Sequence, residues 1–110
     1  MAFIKNIDHE KVLNLASQIT AAPGQIVSKT LAQNKAVSLT LFAFSKGEEI
    51  STHAAGGDAM MLCLEGEGVI TNEGVPHTVQ QGESFSFRPG AMHKVAAVTR
   101  FKMMVMIVRN

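Results

Sequence analysis

The segment HAAGGDAMMLCLEGEG at 53–68 contains side chains that could do chemistry in the middle of the chain. It begins with the isolated His53, passes through a Gly-Gly pair into an apolar run, and ends in LEGEG. An imidazole binds metals and transfers protons near neutral pH, because its pKa lies close to that range. No serine or cysteine stands beside a base at a spacing typical of nucleophilic catalysis. The segment therefore indicates a site built on histidine.

The elements that must position these side chains are mostly strands. One helix is predicted over about 8–19, because Asp8 can cap it and apolar residues recur on one face. From about residue 25 to residue 108, glycines divide the chain into short apolar runs, which indicates an all-β barrel or sandwich. NEGVP at 72–76 is typical of a hairpin turn. Positions 53, 55 and 59 are separated by even steps, so on a regular strand they share one face.

Length and composition predict one globular domain over residues 1–110. The chain has 110 residues, 46% of them apolar, which is enough for one core without disulfides. Its net charge of +1, without a basic run, argues against a nucleic-acid partner, and its apolar runs are too short to span a membrane. The N-terminus has no apolar signal region, and the single Cys63 cannot form an internal disulfide. We therefore expect a cytoplasmic protein.

Two motifs carry a family resemblance. The first cupin motif, G-x5-H-x-H-x3-E-x6-G, matches from Gly47 through His53 to Gly66 with every spacing kept. The second motif, G-x5-P-x-G-x2-H-x3-N, starts at Gly82 and reaches His93. The chain thus resembles a small single-domain, RmlC-like cupin over about residues 30–108. The resemblance implies a double-stranded β-helix, which is a jelly-roll-like barrel, preceded by the short helix.

The chain departs from the family pattern at the positions that hold a metal. Ala55 stands where the family has its second histidine, and Ala59 stands where it has its glutamate. Of the four ligand positions, only His53 and His93 remain, and in the family both face the barrel interior. A catalytic zinc normally has three protein ligands and a water. The resemblance therefore implies a degenerate metal-binding motif.

Two other side chains are candidates for a third metal ligand. Asp58 lies beside Ala59, and the preceding Gly-Gly pair could turn it inward; the alternative is that it braces that turn. His77 shares strand parity with the apolar Val79, and the alternative there is a hydrogen-bonded histidine. The residues fix no cofactor, and a divalent metal such as Zn, Ni, Fe or Mn is the candidate.

Two further residues are candidates for ligand binding. Met92 lies next to His93 at the expected mouth of the barrel, and methionine suits a loosely specific apolar pocket. Arg88 could bind an anionic ligand; the alternative is a surface arginine at a strand end. Cys63 is predicted to be an inert core thiol. The predicted ligand-binding set is therefore His53, His93, Met92, Asp58 and Arg88.

Two functions stay open at this point, and whether the chain is an enzyme stays open with them. One is a cupin that binds a small apolar or carboxylate-bearing ligand in its barrel, metal-free or weakly metallated. The other is a metal-dependent cupin enzyme, a dioxygenase, isomerase or decarboxylase, that uses His53, His93 and a non-standard third ligand. The missing histidine and glutamate favour the binding protein.

Two apolar runs predict a homodimer. AMMLCL at 59–64 and MMVMIV at 103–108 are apolar at every position, so both faces of each strand need a cover. The barrel interior covers one face, and the short helix covers only part of the other. A second copy, packed sheet to sheet, would cover the remainder. The even-numbered residues are predicted to form this outer face: Met60, Leu62 and Leu64, with Met104, Met106 and Val108 as a second set.

Overall fold

The computed structural model describes residues 3–109, and within this range the chain forms nine strands and one short 3₁₀ turn. The 3₁₀ turn covers Leu15–Gln18. The strands are β1 Ile26–Gln33, β2 Val37–Phe44, β3 Glu49–Ala54, β4 Asp58–Glu65, β5 Glu67–Asn72, β6 Val75–Gln80, β7 Ser84–Phe87, β8 Met92–Ala97 and β9 Phe101–Val108. The predicted all-β class is confirmed.

The strands form two antiparallel sheets that face each other. The five-stranded sheet has the order β1-β2-β9-β4-β7, and the four-stranded sheet has the order β3-β8-β5-β6. The main core lies between them, where alternate residues of each strand point inward. Phe101 is fully buried there and meets Phe44 edge to face, with ring centroids 5.5 Å apart. Gly68 faces this ring closely, because a Cβ at that position would lie 2.8 Å from Phe101 Cε1.

The predicted helix over 8–19 is wrong. Only the 3₁₀ turn forms there, and Glu10 has a left-handed φ of 58°, which no helix continues through. The segment instead lies on the outer face of the five-stranded sheet, where Ile19 is buried in a second apolar cluster. Two lysines of the sheet hold it by its backbone: Lys102 Nζ donates to the Ala16 carbonyl at 2.6 Å, and Lys29 Nζ donates to the Gln18 carbonyl at 3.2 Å.

The predicted hairpin turn connects β5 and β6. Glu73 and Gly74 both have positive φ, 48° and 81°, as a two-residue type I′ turn requires.

Between residues 3 and 109, no helix has the length and apolar character needed to cross a membrane.

Candidate functional site

A cavity of about 270 Å³ lies inside the barrel, between the two sheets. Most of its wall is aliphatic or aromatic, and four side chains bring polar atoms to it: Ser38, Thr40, His53 and His93. The volume is near the lower end of the range for small-molecule sites. The wall is completed by apolar side chains and Gly56, including Ala55, Ala59, Met61, Phe87, Met103 and Ile107. A site of this kind suits a small and mostly apolar molecule.

The structure brings His53 and His93 together at this cavity. They are direct cross-strand partners in the β3–β8 pair, and their ring centroids are 4.4 Å apart. Phe87, from the opposite sheet, stacks on the His93 ring at 3.9 Å. The pair is therefore held by both sheets, with His93 buried and His53 exposed.

Backbone carbonyls determine which nitrogen of each imidazole is available. His53 Nδ1 lies 2.8 Å from the Ser51 carbonyl, and His93 Nδ1 lies 3.1 Å from the Ala91 carbonyl. A carbonyl oxygen only accepts hydrogen bonds, so each Nδ1 carries the proton and donates it. In the neutral imidazole, Nε2 then holds a lone pair. The pair thus offers two hydrogen-bond acceptors, or two metal-ligating nitrogens.

The surroundings keep His93 neutral. Burial lowers the pKa of His93 below its ordinary value, and the neighbouring His53 lowers it further, whereas the Ala91 carbonyl acts in the opposite direction. At neutral pH His93 therefore acts as a lone-pair acceptor. An ionised carboxylate needs a donor and would not be satisfied by this ring alone.

The two positions that depart from the cupin motif also belong to this site. Ala55 and Ala59 line the cavity together with His53 and His93. Their methyl groups occupy positions where a histidine and a glutamate would have met the pair. No cluster of three or more His, Cys, Asp or Glu side chains that could hold a metal occurs within residues 3–109. Two imidazole nitrogens alone do not fit a catalytic three-ligand centre.

Neither candidate for a third ligand lies beside the pair. Asp58 is exposed and lines a groove on the outside of the five-stranded sheet, because the adjacent Ala59 takes the inward position on β4. The Gly-Gly pair before it does not change this parity. His77 lies on β6 against Phe85, with ring centroids 4.7 Å apart, and is not part of the cavity wall.

Arg88 and Met92 also lie outside the cavity wall. Arg88 lines the same outer groove as Asp58. Met92 is 45% exposed, because its neighbour His93 takes the inward position on β8. The backbone N–H of Met92 donates to the Glu73 carboxylate at 3.1 Å. Of the predicted ligand-binding set, the structure therefore places only the two histidines at the cavity.

Cys63 faces the core between the sheets and is 1% exposed. Burial raises the pKa of its thiol. Its Sγ donates weakly to the carbonyls of Glu65 and Gly66, at 3.6 Å and 3.4 Å. A protonated and buried thiol of this kind is a packing group rather than a nucleophile.

Sequence reasoning missed Ser38 and Thr40. Both line the cavity from β2. Their signal was present in VSLTLFAF, where Ser38, Thr40 and Phe42 alternate with Leu39 and Leu41. This period of two places the polar pair on one face, but which face is inward could not be read without the partner sheet.

The motif spacing, the two facing sheets and the cavity between them together define the class. The chain belongs to the cupin family: a family model described as a cupin domain matches residues 40–109. A search of curated proteins finds no match at the significance applied.

Solved structures of similar chains agree with this assignment. A cupin superfamily protein from Desulfitobacterium hafniense is 34% identical, with a TM-score of 0.94 over 99% of this chain and 100% of that chain. A conserved Streptococcus pyogenes protein of unknown function is also 34% identical, with a TM-score of 0.94 over 100% of this chain and 96% of that one. An RmlC-like cupin from a Desulfovibrio desulfuricans subspecies is 25% identical, with a TM-score of 0.78 over 91% of this chain and 97% of that one.

Proposed function

We propose that this cupin binds a small, mainly apolar molecule inside its barrel, and that it does so metal-free or weakly metallated. The observation that carries the proposal is the cavity of about 270 Å³, with apolar walls and one convergent histidine pair. Apolar walls supply most of the affinity of such a site, and a few placed polar groups supply the orientation.

The histidine pair selects for a hydrogen-bond donor on the ligand. Both Nδ1 atoms donate to backbone carbonyls, so in a neutral imidazole the lone pair is on Nε2. A hydroxyl or amine of the ligand can donate to these nitrogens without a change of protonation. A carboxylate or carbonyl group on the same ligand needs donors, which neutral rings with this tautomer do not provide.

A metal-dependent activity is less well supported by the same residues. Two imidazole nitrogens could hold a divalent ion weakly, but the third ligand that a catalytic centre needs is missing from the described part of the chain. The enzyme alternative therefore requires that the substrate itself supplies the third metal ligand.

Methionine methyl NMR tests the binding proposal directly. Met61 and Met103 line the cavity, whereas Met60 and Met106 lie on the outer face of the same strands and serve as internal controls. Adding cyclohexanol, an apolar ring with one hydroxyl, is expected to shift the two inner signals and leave the outer two unchanged. Ala59→Leu, which places a larger side chain in the cavity, should abolish the shifts, and Ala22→Leu at an exposed position should not. Equal shifts of inner and outer methyls would contradict binding in the barrel.

We further propose that the chain forms a homodimer through the outer face of the five-stranded sheet. Met60 is 37% exposed and Val108 is 45% exposed, and both line an apolar outer groove with Met106. Asp58 and Arg88 line the same groove and give it one charge of each sign. A two-fold axis through such a surface brings each patch onto its own copy.

The lone and buried Cys63 supports a cytoplasmic location for this assembly.

A further inference from the structure

We propose that Ser38 and Arg109 form a second polar end of the cavity and that this end binds a carboxylate of the ligand. The proposal rests on the proposed function, namely that the barrel binds a small molecule. The histidine end of the cavity then accepts hydrogen bonds and the Ser38 end donates them. This difference defines the class of ligand.

Ser38 supplies a donor directed to the cavity. Its side chain is on the inward face of β2, its residue is 8% exposed, and it lines the cavity wall. Its Oγ accepts a hydrogen bond from Arg109 Nη2 at 2.6 Å. Because a lone pair makes that bond, the hydroxyl proton is free to be donated to an acceptor in the cavity. Thr40, two residues along the same strand, provides a second hydroxyl in the wall.

Arg109 holds this hydroxyl in place with a positive charge. Its position continues the inward series Met103, Val105 and Ile107, so it lies at the end of the barrel beyond β9. Its guanidinium also donates from Nη1 to the Asn34 carbonyl at 3.3 Å, and its backbone N–H donates to the Ala36 carbonyl at 2.7 Å. A hydroxyl polarised by a cation donates more strongly, and it does so most strongly to an anion. Arg109 is thus a positioning residue that acts through Ser38.

The absence of side chains in the Gly-Gly pair leaves space for Arg109. A Cβ at Gly57 would collide with the Val108 carbonyl oxygen and would lie 3.2 Å from Arg109 Cγ. The neighbouring Gly56 lines the cavity. Glycine at 57 therefore lets the end of β9 and the arginine stem pass directly beneath the segment that leads into β4.

Strand register places the two polar ends on opposite sides of the barrel. Ser38 pairs with Ile107, Ile107 pairs with Ala59, and Ala59 pairs with Phe87, on which His93 stacks. Three strand spacings of about 4.8 Å separate Ser38 from Phe87, roughly 14 Å along the curved sheet. The region between them is apolar. The ligand class that fits is a small carboxylic acid with an apolar body and a hydroxyl or amine donor at its other end.

Three compounds built on the same six-membered ring separate the two ends experimentally. Cyclohexanecarboxylate presents only the carboxylate, cyclohexanol presents only the donor, and trans-4-hydroxycyclohexanecarboxylate presents both. In the wild-type protein we expect the two-ended acid to bind more tightly than either single-group compound, as measured by calorimetry and by the Met61 and Met103 methyl shifts.

Substitutions at Ser38 and Arg109 decide the assignment. Ser38→Ala should weaken binding of cyclohexanecarboxylate about tenfold or more and leave cyclohexanol unchanged, because only the carboxylate loses a charge-assisted bond. Arg109→Gln should have the same selective effect, and Arg109→Lys should restore part of it. The controls are Ser86→Ala on the outer groove and Arg100→Gln at the exposed, opposite end of β9, and neither should alter the ratio of the two affinities.

Two results would overturn the assignment, and they are distinguishable. If cyclohexanol binds but Ser38→Ala weakens both compounds equally, or neither, the proposed function stands and the carboxylate end is wrong. If none of the three compounds shifts the inner methionine methyls of the wild-type protein, the proposed function fails and the assignment fails with it.

Discussion

The two faces of the five-stranded sheet are made of similar residues and have different surroundings. On the inner face Met61 is 1% exposed and Met103 is 3% exposed, whereas on the outer face Met60 is 37% exposed and Val108 is 45% exposed. The N-terminal segment covers the outer face around Leu31 and Leu41, and Leu64 and Met104 of the predicted dimer face pack against the same cluster. An uninterrupted apolar strand therefore predicts two covered faces, but it does not say whether the same chain provides both covers.

The largest expected difference between the two faces is in the free energy of unfolding of a variant in the core. Phe101→Ala removes a fully buried ring between the sheets and should lower the free energy of unfolding by about 3–5 kcal/mol. Val108→Ala, on the half-exposed outer face, should lower it by less than about 1 kcal/mol if the outer face is solvated during the measurement. Urea denaturation at low protein concentration measures both values. Equal losses would show that the outer face is as well packed as the inner one.

The next largest effect concerns association. Leu62→Glu places a charge on the outer face of β4 and is expected to convert a dimer into a monomer at low micromolar concentration, since an unpaired charge is costly to bury. Light scattering gives the mass. Val75→Glu is the matched control, because Val75 is a 55% exposed strand residue of the other sheet. A monomeric wild-type protein, or a dimer that tolerates Leu62→Glu, would show that the outer face is not the interface.

Restoring the family's ligands tests the inner face. Ala55 and Ala59 line the cavity beside the histidine pair, so the double variant Ala55→His and Ala59→Glu should complete a four-ligand set. Zinc affinity should rise by at least about 100-fold over the weak binding expected of two imidazoles. The matched control is Met60→Glu alone, which places a carboxylate on the outer face and leaves the two-imidazole pair unchanged. Tight stoichiometric zinc in the unmodified protein, measured by calorimetry, would refute the degenerate site.

The smallest effect is a pH dependence from the buried ring. Because burial lowers the pKa of His93 in the folded protein, the unfolded chain binds this proton more readily. The free energy of unfolding should therefore be fully maintained above about pH 6.5 and should decrease as the pH falls below that value. His93→Gln should flatten this dependence, and urea midpoints between pH 7.5 and 5.5 measure the difference. A wild-type slope of the opposite sign, relative to the variant, would contradict the burial argument.

The fold could be predicted from the sequence because its signals were local and repeated. The two glycines that bound the first motif, Gly47 and Gly66, have a positive φ in the structure, and so do both residues of the turn at Glu73-Gly74. The histidine pair could also be named, since each of the two motifs carries one histidine and the family resemblance places both in the barrel interior.

Other parts of the site depend on strand parity, or on long-range contacts that no local pattern records. Asp58 and Met92 each lie one residue from an inward position, and parity alone decides that both face outward. The helix prediction failed because Glu10 takes a left-handed φ and the segment docks on the outer face of the five-stranded sheet, where Lys29 and Lys102, far along the chain, bind its backbone. Arg109 was missed because its partner Ser38 is 71 residues away.

The hydrogen bond between Lys102 and Ala16 has a consequence for the order of folding. It joins residues that are 86 apart in the chain. Lys102 is not in place to donate this bond until β9 has inserted between β2 and β4. The entropy of closing so long a loop must be overcome before the contact stabilises anything. The N-terminal segment should thus dock after the folding transition state. Substitutions that strengthen its docking are then expected to slow unfolding and to leave the refolding rate unchanged.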